Sequence, residues 1–302
     1  MLGSVVAFAV MNAFVKDLRD HGFGTLEVMF WRSAPGLPLL WLELRLRGLP
    51  MGSRRRRVVA LRTLFGCLAM ATNFRAVRQL ALVQHTIIHL TQPVLVAIVS
   101  PSLLRERLRG AAFVALLLAL VGAIAVLLPP ELLLHAGESV AIGAVAMPLV
   151  PGFIGLLSAC ASSLAHVMLR SATAEHGLGR DRETPADAPE TVVLHFTAVV
   201  SIGSLALGLA LGGFSGLPGG MSFGSAAWRV SAMAALGWLG QLMMSRAYAR
   251  AEAPAIAVVA YAGIPVAALI DAWVWGAELG WSTLLGAAIM VTAGWLLARA
   301  RS

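Results

Sequence analysis

The sequence predicts an all-α membrane protein: ten transmembrane helices, arranged as two inverted five-helix repeats around a central cavity. Three observations predict it. Of the 302 residues, 59% are hydrophobic and 13% charged, about half the charged share of an ordinary soluble domain. The apolar residues gather in runs near 20 residues, enough to cross a hydrocarbon core of about 30 Å. The third observation is a repeat. Pro93, Glu106 and Gly122 recur as Pro265, Glu278 and Gly294, all at one offset of 172 residues. Arg78/Arg250, Ala81/Ala253, Val94/Val266 and Ile98/Ile270 fall on the same offset. An internal repeat in a chain of many spans is the usual trace of a secondary transporter.

The spans are expected at 1–15, 24–44, 58–77, 81–104, 110–128, 148–169, 191–212, 225–247, 254–276 and 280–298. The first is short for a span. It has no basic leader and runs straight into Lys16, so it reads as a retained helix rather than a cleaved signal. Residues 1–128 form the first five-helix repeat, 129–147 an exterior connecting loop, and 148–302 the second repeat. Within the second, residues 171–190 are polar and read as a cytoplasmic linker, and 212–224 are glycine-rich and read as an exterior loop.

Arginine placement orients the chain. Arg45, Arg47 and Arg54 to Arg57 follow helix 2. Arg105, Arg107 and Arg109 follow helix 4, and Arg170, Arg180 and Arg182 follow helix 6. Arg250 lies beside the end of helix 8, and Arg299 and Arg301 close the chain. The loops after helices 5, 7 and 9 contain no Lys or Arg. Both termini are therefore expected in the cytoplasm of a cell with the protein in its inner or plasma membrane. An odd number of helices per repeat inverts the second copy relative to the first. Such a pair can exchange conformations, the physical basis of alternating access.

The net charge of +8 resides in arginines between apolar runs, with Lys16 the sole lysine. This reads as topology signalling, not nucleic-acid binding. Cys67 and Cys160 both lie in apolar runs and form no disulfide framework. No GxxxxGK[ST] motif occurs, which argues against ATP-driven transport. A nucleophile elbow, an HExxH helix and paired catalytic aspartates are all missing, so the chain is not read as an enzyme and no cofactor is expected.

Several polar residues lie at membrane depth, where they are costly and therefore informative. Pro93 and Pro265 interrupt helices 4 and 9 at matching places. Each removes the donor for the carbonyl four residues earlier, at His89 and Tyr261. Paired interruptions point to a midplane site, although a packing kink gives the same sequence. His85, His89 and Gln92 share one face of helix 4, with Gln84 and Thr91 beside them. Neutral imidazoles there can bind polar substrate groups, and one can take a proton near neutral pH. The His85-x-x-x-His89 spacing also suits a metal, so a divalent metal-ion carrier is the alternative, with His166 or His195 completing the site if the fold brings them near. A non-transporting membrane protein remains a further alternative.

Arg32 lies about eight residues, or roughly 12 Å, inside helix 2. It is either an anchor for a substrate carboxylate or phosphate or an ion-pair partner of Glu27 or Asp271. Asp271 is correspondingly a coupling carboxylate or that partner. Asn73, Tyr248, Tyr261 and Gln241 are expected to line the cavity as donors. Trp31, Trp238, Trp273 and Trp275 read as packing or interface residues. Glu106 and Glu278 read as helix caps or partners of loop arginines. Small residues in helices 5 and 10 (Ala115, Ala119 and Ala123; Gly286, Ala287 and Gly294) permit close packing within a protomer or in a homodimer.

In order along the chain stand Lys16, Glu27-x-x-Phe30-x-Arg32, Arg62-x-x-x-Gly66, Asn73-Phe74-Arg75-Ala76, Gln92-Pro93-Val94 and Arg105-Glu106. The second half adds Ala247-Tyr248-Ala249, Ile264-Pro265-Val266, Gly276-Ala277-Glu278 and the Gly286/Gly294 helix. With these motifs the chain resembles the drug/metabolite transporter superfamily, in its EamA-type branch of ten-helix permeases. The resemblance covers essentially the whole chain. It implies secondary transport of a small organic solute across the bilayer, without naming that solute. Helix 4 is more polar here than in that family, so the role of its His and Gln stripe rests on the residues alone. The leading expectation is a permease for a small polar metabolite, bound between helices 2, 3 and 4 and helices 7, 8 and 9.

Overall fold

In a computed structural model, the structure describes residues 1–79, 88–89, 91–106, 110–127, 149–175, 184–214, 216, 221–276 and 281–299. Its regular elements are helices: α1 (Leu2–Asp20), α2 (Thr25–Ser33), α3 (Gly36–Leu46), α4 (Arg56–Gln79), α5 (Thr91–Leu103), α6 (Ala111–Leu127), α7 (Leu149–Thr173), α8 (Pro189–Ala210), α9 (Phe223–Arg250), α10 (Ala253–Ala260), α11 (Gly263–Trp275) and α12 (Trp281–Arg299). Among the described residues there is no strand.

Val150–Thr173, Pro189–Ala210 and Ala253–Val274 are each long and apolar enough to cross a membrane. Large apolar side chains such as Ile202, Leu209, Trp273 and Trp281 stand exposed on the helices. Exposure of this kind suits lipid and is costly in water. The chain is an integral membrane protein.

Two places where one helix was expected hold two. Residues 24–44 were expected as a single span, but α2 and α3 part at Ala34 and Pro35. Pro35 has no N–H for the Trp31 carbonyl, and Pro38 none for the Ala34 carbonyl. The Ala34 carbonyl accepts from Leu37 N instead, at 3.1 Å. Helix 9 parts at Tyr261 and Ala262, between α10 and α11, at the carbonyl that Pro265 was expected to free. Tyr261 O accepts from Ile264 N at 3.0 Å, one residue short of the α-helical partner.

The chain divides into two compact units. The first comprises Gly3–Cys67 and Met168–Arg250, the second Leu68–Val167 and Ala251–Ser302. Each draws on both halves of the sequence, so compactness in space and repetition in sequence follow different boundaries.

The first unit packs Leu40, Val193 and Leu242 into an apolar core, with Leu194 and Trp238 against it. Asp187 ties its chain segments together. Its carboxylate accepts from Ser53 Oγ at 2.6 Å, Arg54 N at 2.7 Å and Arg55 N at 3.1 Å, satisfying donors at the start of α4. Arg55 is fully buried. It donates to the carbonyls of Ser171, Ala174, Glu175 and Thr184 at 2.6 to 3.0 Å. Arg54, Arg56 and Arg57 are exposed. Of the four-arginine run read as a topology signal, one member is thus a structural post.

The second unit centres on α6 and α12. Ala115, Leu116, Ala119, Met290 and Ala293 form its core with Val258 and Tyr261. A Cβ at Gly122 would lie 2.7 Å from Gly286 O, so the two backbones meet at the small residues that the sequence offered for close packing. Glu106 Oε2 accepts from Ala253 N at 2.8 Å and so caps α10, as one of its two expected roles requires. Glu278 lies outside the described residues.

Candidate functional site

The break between α2 and α3 places Arg32 one turn before a new helix start. Arg32 lines a small cleft of the first unit with Gly36, Phe196, Gly237, Trp238 and Gln241. Its Nε donates to Met11 Sδ at 3.1 Å. Gly237 makes the approach possible: a Cβ there would lie 3.3 Å from Arg32 Cγ and 3.2 Å from Met11 Sδ. Gly36 is the first residue of α3, so the positive end of that helix dipole meets the same space.

A second arginine stacks on Phe196. Arg62 is buried, with 3% of its surface exposed, and its guanidinium sits 3.9 Å over the Phe196 ring. Gly66, one turn on, leaves room for this stack, since a Cβ there would lie 2.8 Å from both Arg62 Nη1 and Phe196 Cε2. That is a physical reason for the Arg62-x-x-x-Gly66 spacing. The positive charges of Arg62 and Arg32 act on one another repulsively.

Several buried polar atoms of this unit are short of acceptors. Arg62 Nε and Nη1, Trp238 Nε1 and Gln241 Nε2 are buried without a hydrogen-bond partner. Among the described residues lining the cleft there is no Asp or Glu. A second charged cluster in this unit is different. Arg246 Nη2 meets Glu43 Oε1 at 2.6 Å and Glu190 Oε1 at 2.8 Å, and Arg47 Nη1 meets Glu190 Oε1 at 3.1 Å. Two arginines and two glutamates there neutralise each other, so that cluster braces α3, α8 and α9.

The other expected site residues fall as follows. Glu27 is buried in the first unit, and its carboxylate accepts from Gly24 N at 3.3 Å at the start of its own helix. Tyr248 is buried in α9, and Arg170 Nη1 donates to its carbonyl at 3.0 Å. Asn73, His89, Gln92, Pro93, Tyr261 and Pro265 belong to the second unit. There Gln92 Nε2 meets His166 Nδ1 at 2.8 Å, and the Gln92 side chain also bonds His89. Ser163 Oγ donates to Gln92 O at 3.1 Å. The His–Gln stripe of helix 4 thus gains His166, the partner that sequence spacing left open. Tyr261 packs in the apolar cluster with Val258 and Met290. His85 and its neighbours Gln84 and Thr86 lie outside the described residues, as does the side chain of Asp271. Among the described residues, no three His, Cys, Asp or Glu side chains gather as a metal site would require.

Arginines within the apolar helices of a membrane protein, one of them a turn before a helix break, are features of proteins that carry polar solutes across bilayers. Comparison with known proteins bears on that class directly. Residues 1–128 match the EamA-like transporter family. The pseudopaline exporter CntI of Pseudomonas aeruginosa is 27% identical over 301 residues, covering 97% of this chain and 93% of that protein. An uncharacterized transporter of Helicobacter pylori is 28% identical over 305 residues, covering 97% and 91%. A crystal structure at 18% identity superposes with a TM-score of 0.73 over 100% of this chain and 98% of that one, which speaks for the fold alone. The chain is a membrane transporter whose first 128 residues resemble the EamA-like transporter family.

Proposed function

We propose that the protein is a secondary transporter that moves a small polar organic metabolite by alternating access, with Arg32 holding an anionic group of the solute. The observation that carries this reading is Arg32 itself. It lies deep in a predicted span, one turn before a helix break, and lines a cleft with Gln241 and Trp238. A cation at that depth is costly and marks a functional site, and a guanidinium binds carboxylates and phosphates with two parallel hydrogen bonds.

The reading extends to ten helices in two inverted repeats, with both termini cytoplasmic in an inner or plasma membrane. Coupling to a proton gradient is part of the reading, with the imidazoles of His89 and His166 as its candidates. A relative named as an exporter supports outward movement of the solute. Solute flux in proteoliposomes, with and without a pH gradient, tests the proposal. Flux that responds to the gradient and falls in Arg32→Gln is expected. Full flux in Arg32→Gln removes Arg32 from the site.

A further inference from the structure

We propose that the groove between α5 and α6 is a binding site for an anionic phospholipid, with one acyl chain lying along it and the headgroup meeting Arg105 at its end. The site lies within the second compact unit and is independent of the solute site.

The spacing of the residues makes the groove. α5 lends it Val94, Ala97, Ile98 and Pro101, at i, i+3, i+4 and i+7. Four residues of α6, from Phe113 to Leu120, repeat that spacing, so each helix offers one apolar stripe to the other. The stripes do not close on each other, because each helix is engaged elsewhere. α5 packs chiefly on α10, and α6 on α12, where Ala115 and Ala119 admit a close approach. A space of about 380 Å³ is left, which falls in the range of ligand pockets, roughly 300–1,000 Å³.

The described side chains that line it are all apolar, so water would find no partners there. Ile98, Phe113 and Leu117 are exposed, which leaves the groove open at its side. In a bilayer, what enters from the side is an acyl chain. From Val94 to Pro101 the helix rises roughly 10 Å at about 1.5 Å per residue. That is about two-thirds of one leaflet's share of a hydrocarbon core of about 30 Å.

The charge stands at the end of the groove, in the turn that joins the two helices. Arg105 lies four residues beyond Pro101 and is exposed. Its φ of 60° turns the chain out of α5 toward α6. Glu106, the nearest acid in sequence, is committed to Ala253 N at 2.8 Å. Arg107 and Arg109 follow, so residues 105–109 carry three arginines and one glutamate. A long arginine side chain near a helix end reaches headgroup level. There it favours a lipid with net negative charge over a zwitterionic one. The arginine pattern predicts the cytoplasmic side for this turn, where anionic lipids of that leaflet attract basic residues.

Native mass spectrometry of the full chain in detergent tests this, with titration by phosphatidylglycerol or by phosphatidylcholine of the same acyl chains. The wild type should retain its first phosphatidylglycerol at a concentration about fivefold or more below that for phosphatidylcholine, the factor expected for one arginine at a charged surface. Arg105→Gln should lose about that factor for phosphatidylglycerol and leave phosphatidylcholine unchanged. Leu117→Trp fills the groove from its open side and should lower retention of both lipids. Ile98→Trp does the same from the opposite wall, and replaces it if Leu117→Trp fails to fold. A phosphatidylglycerol with a photoreactive group midway along one acyl chain should label peptides containing residues 94–101 and 113–120.

Equal retention of the two lipids by the wild type, or a preference unchanged in Arg105→Gln, would overturn the headgroup assignment. Unchanged retention in the tryptophan variants, with labelling confined to other helices, would overturn the groove. So would a dimer joined through α5 and α6 that excludes the label from both helices, which would make the occupant a second copy of the chain.

Discussion

Replacing Arg55 by alanine should cost the protein far more than replacing any neighbouring arginine. Arg55 is fully buried and donates five hydrogen bonds to four carbonyls, of Ser171, Ala174, Glu175 and Thr184. Charge-assisted bonds are each worth about 1.5–3 kcal/mol net. They share one side chain and do not add, and water entering the vacated space would serve some of the carbonyls. A loss of roughly 3–5 kcal/mol follows, the range seen when one partner of a buried charged contact is removed. At about 2–4 °C per kcal/mol, the apparent melting temperature should fall by roughly 10 °C. The assay is the loss of the monodisperse peak in detergent after heating. Arg54 and Arg56 are exposed, so Arg54→Ala and Arg56→Ala should stay within about 0.5 kcal/mol of wild type. Arg55→Ala behaving like Arg54→Ala would refute the reasoning.

Four further outcomes can be checked. Gly122→Ala should destabilise by about 1–3 kcal/mol, because its Cβ would lie 2.7 Å from the Gly286 carbonyl. Gly203→Ala, where a Cβ meets nothing within 4 Å, should stabilise by about 0.5–1 kcal/mol, and both are read by the same melting assay. Gly66→Ala should push Arg62 off Phe196, since its Cβ would lie 2.8 Å from both, and destabilise by about 1–3 kcal/mol in the same assay. Pro265→Ala restores a donor to the Tyr261 carbonyl and should fuse α10 with α11. Its melting temperature should hold or rise while flux in proteoliposomes falls severalfold.

Much of this architecture is legible in the sequence wherever the rule is local. Pro265 acts on a carbonyl four residues away, so the break at Tyr261 could be placed in advance. Arg32 stood out because an arginine in an apolar run is conspicuous by itself. The α2–α3 break went unread, although Pro35 and Pro38 obey the same rule, because the surrounding apolar run is long enough to pass for one span. Residues whose partners are distant in sequence were not legible. Arg55 looks like any loop arginine until Ser171 and Thr184 fold against it. Gln92 and His166 are 74 residues apart, and no spacing rule joins them. Arg62 entered only as part of a motif, and Trp238 was read as packing, because unpaired donors emerge only when the neighbours are in place.

The most direct test of the central claim is flux by the purified protein. Proteoliposomes containing the wild type or Arg32→Gln are incubated with a metabolite extract, and their contents are compared by mass spectrometry. The account predicts that organic anions accumulate in wild-type vesicles and not in the variant. Accumulation of cations or neutral solutes, equal in the two, would contradict it.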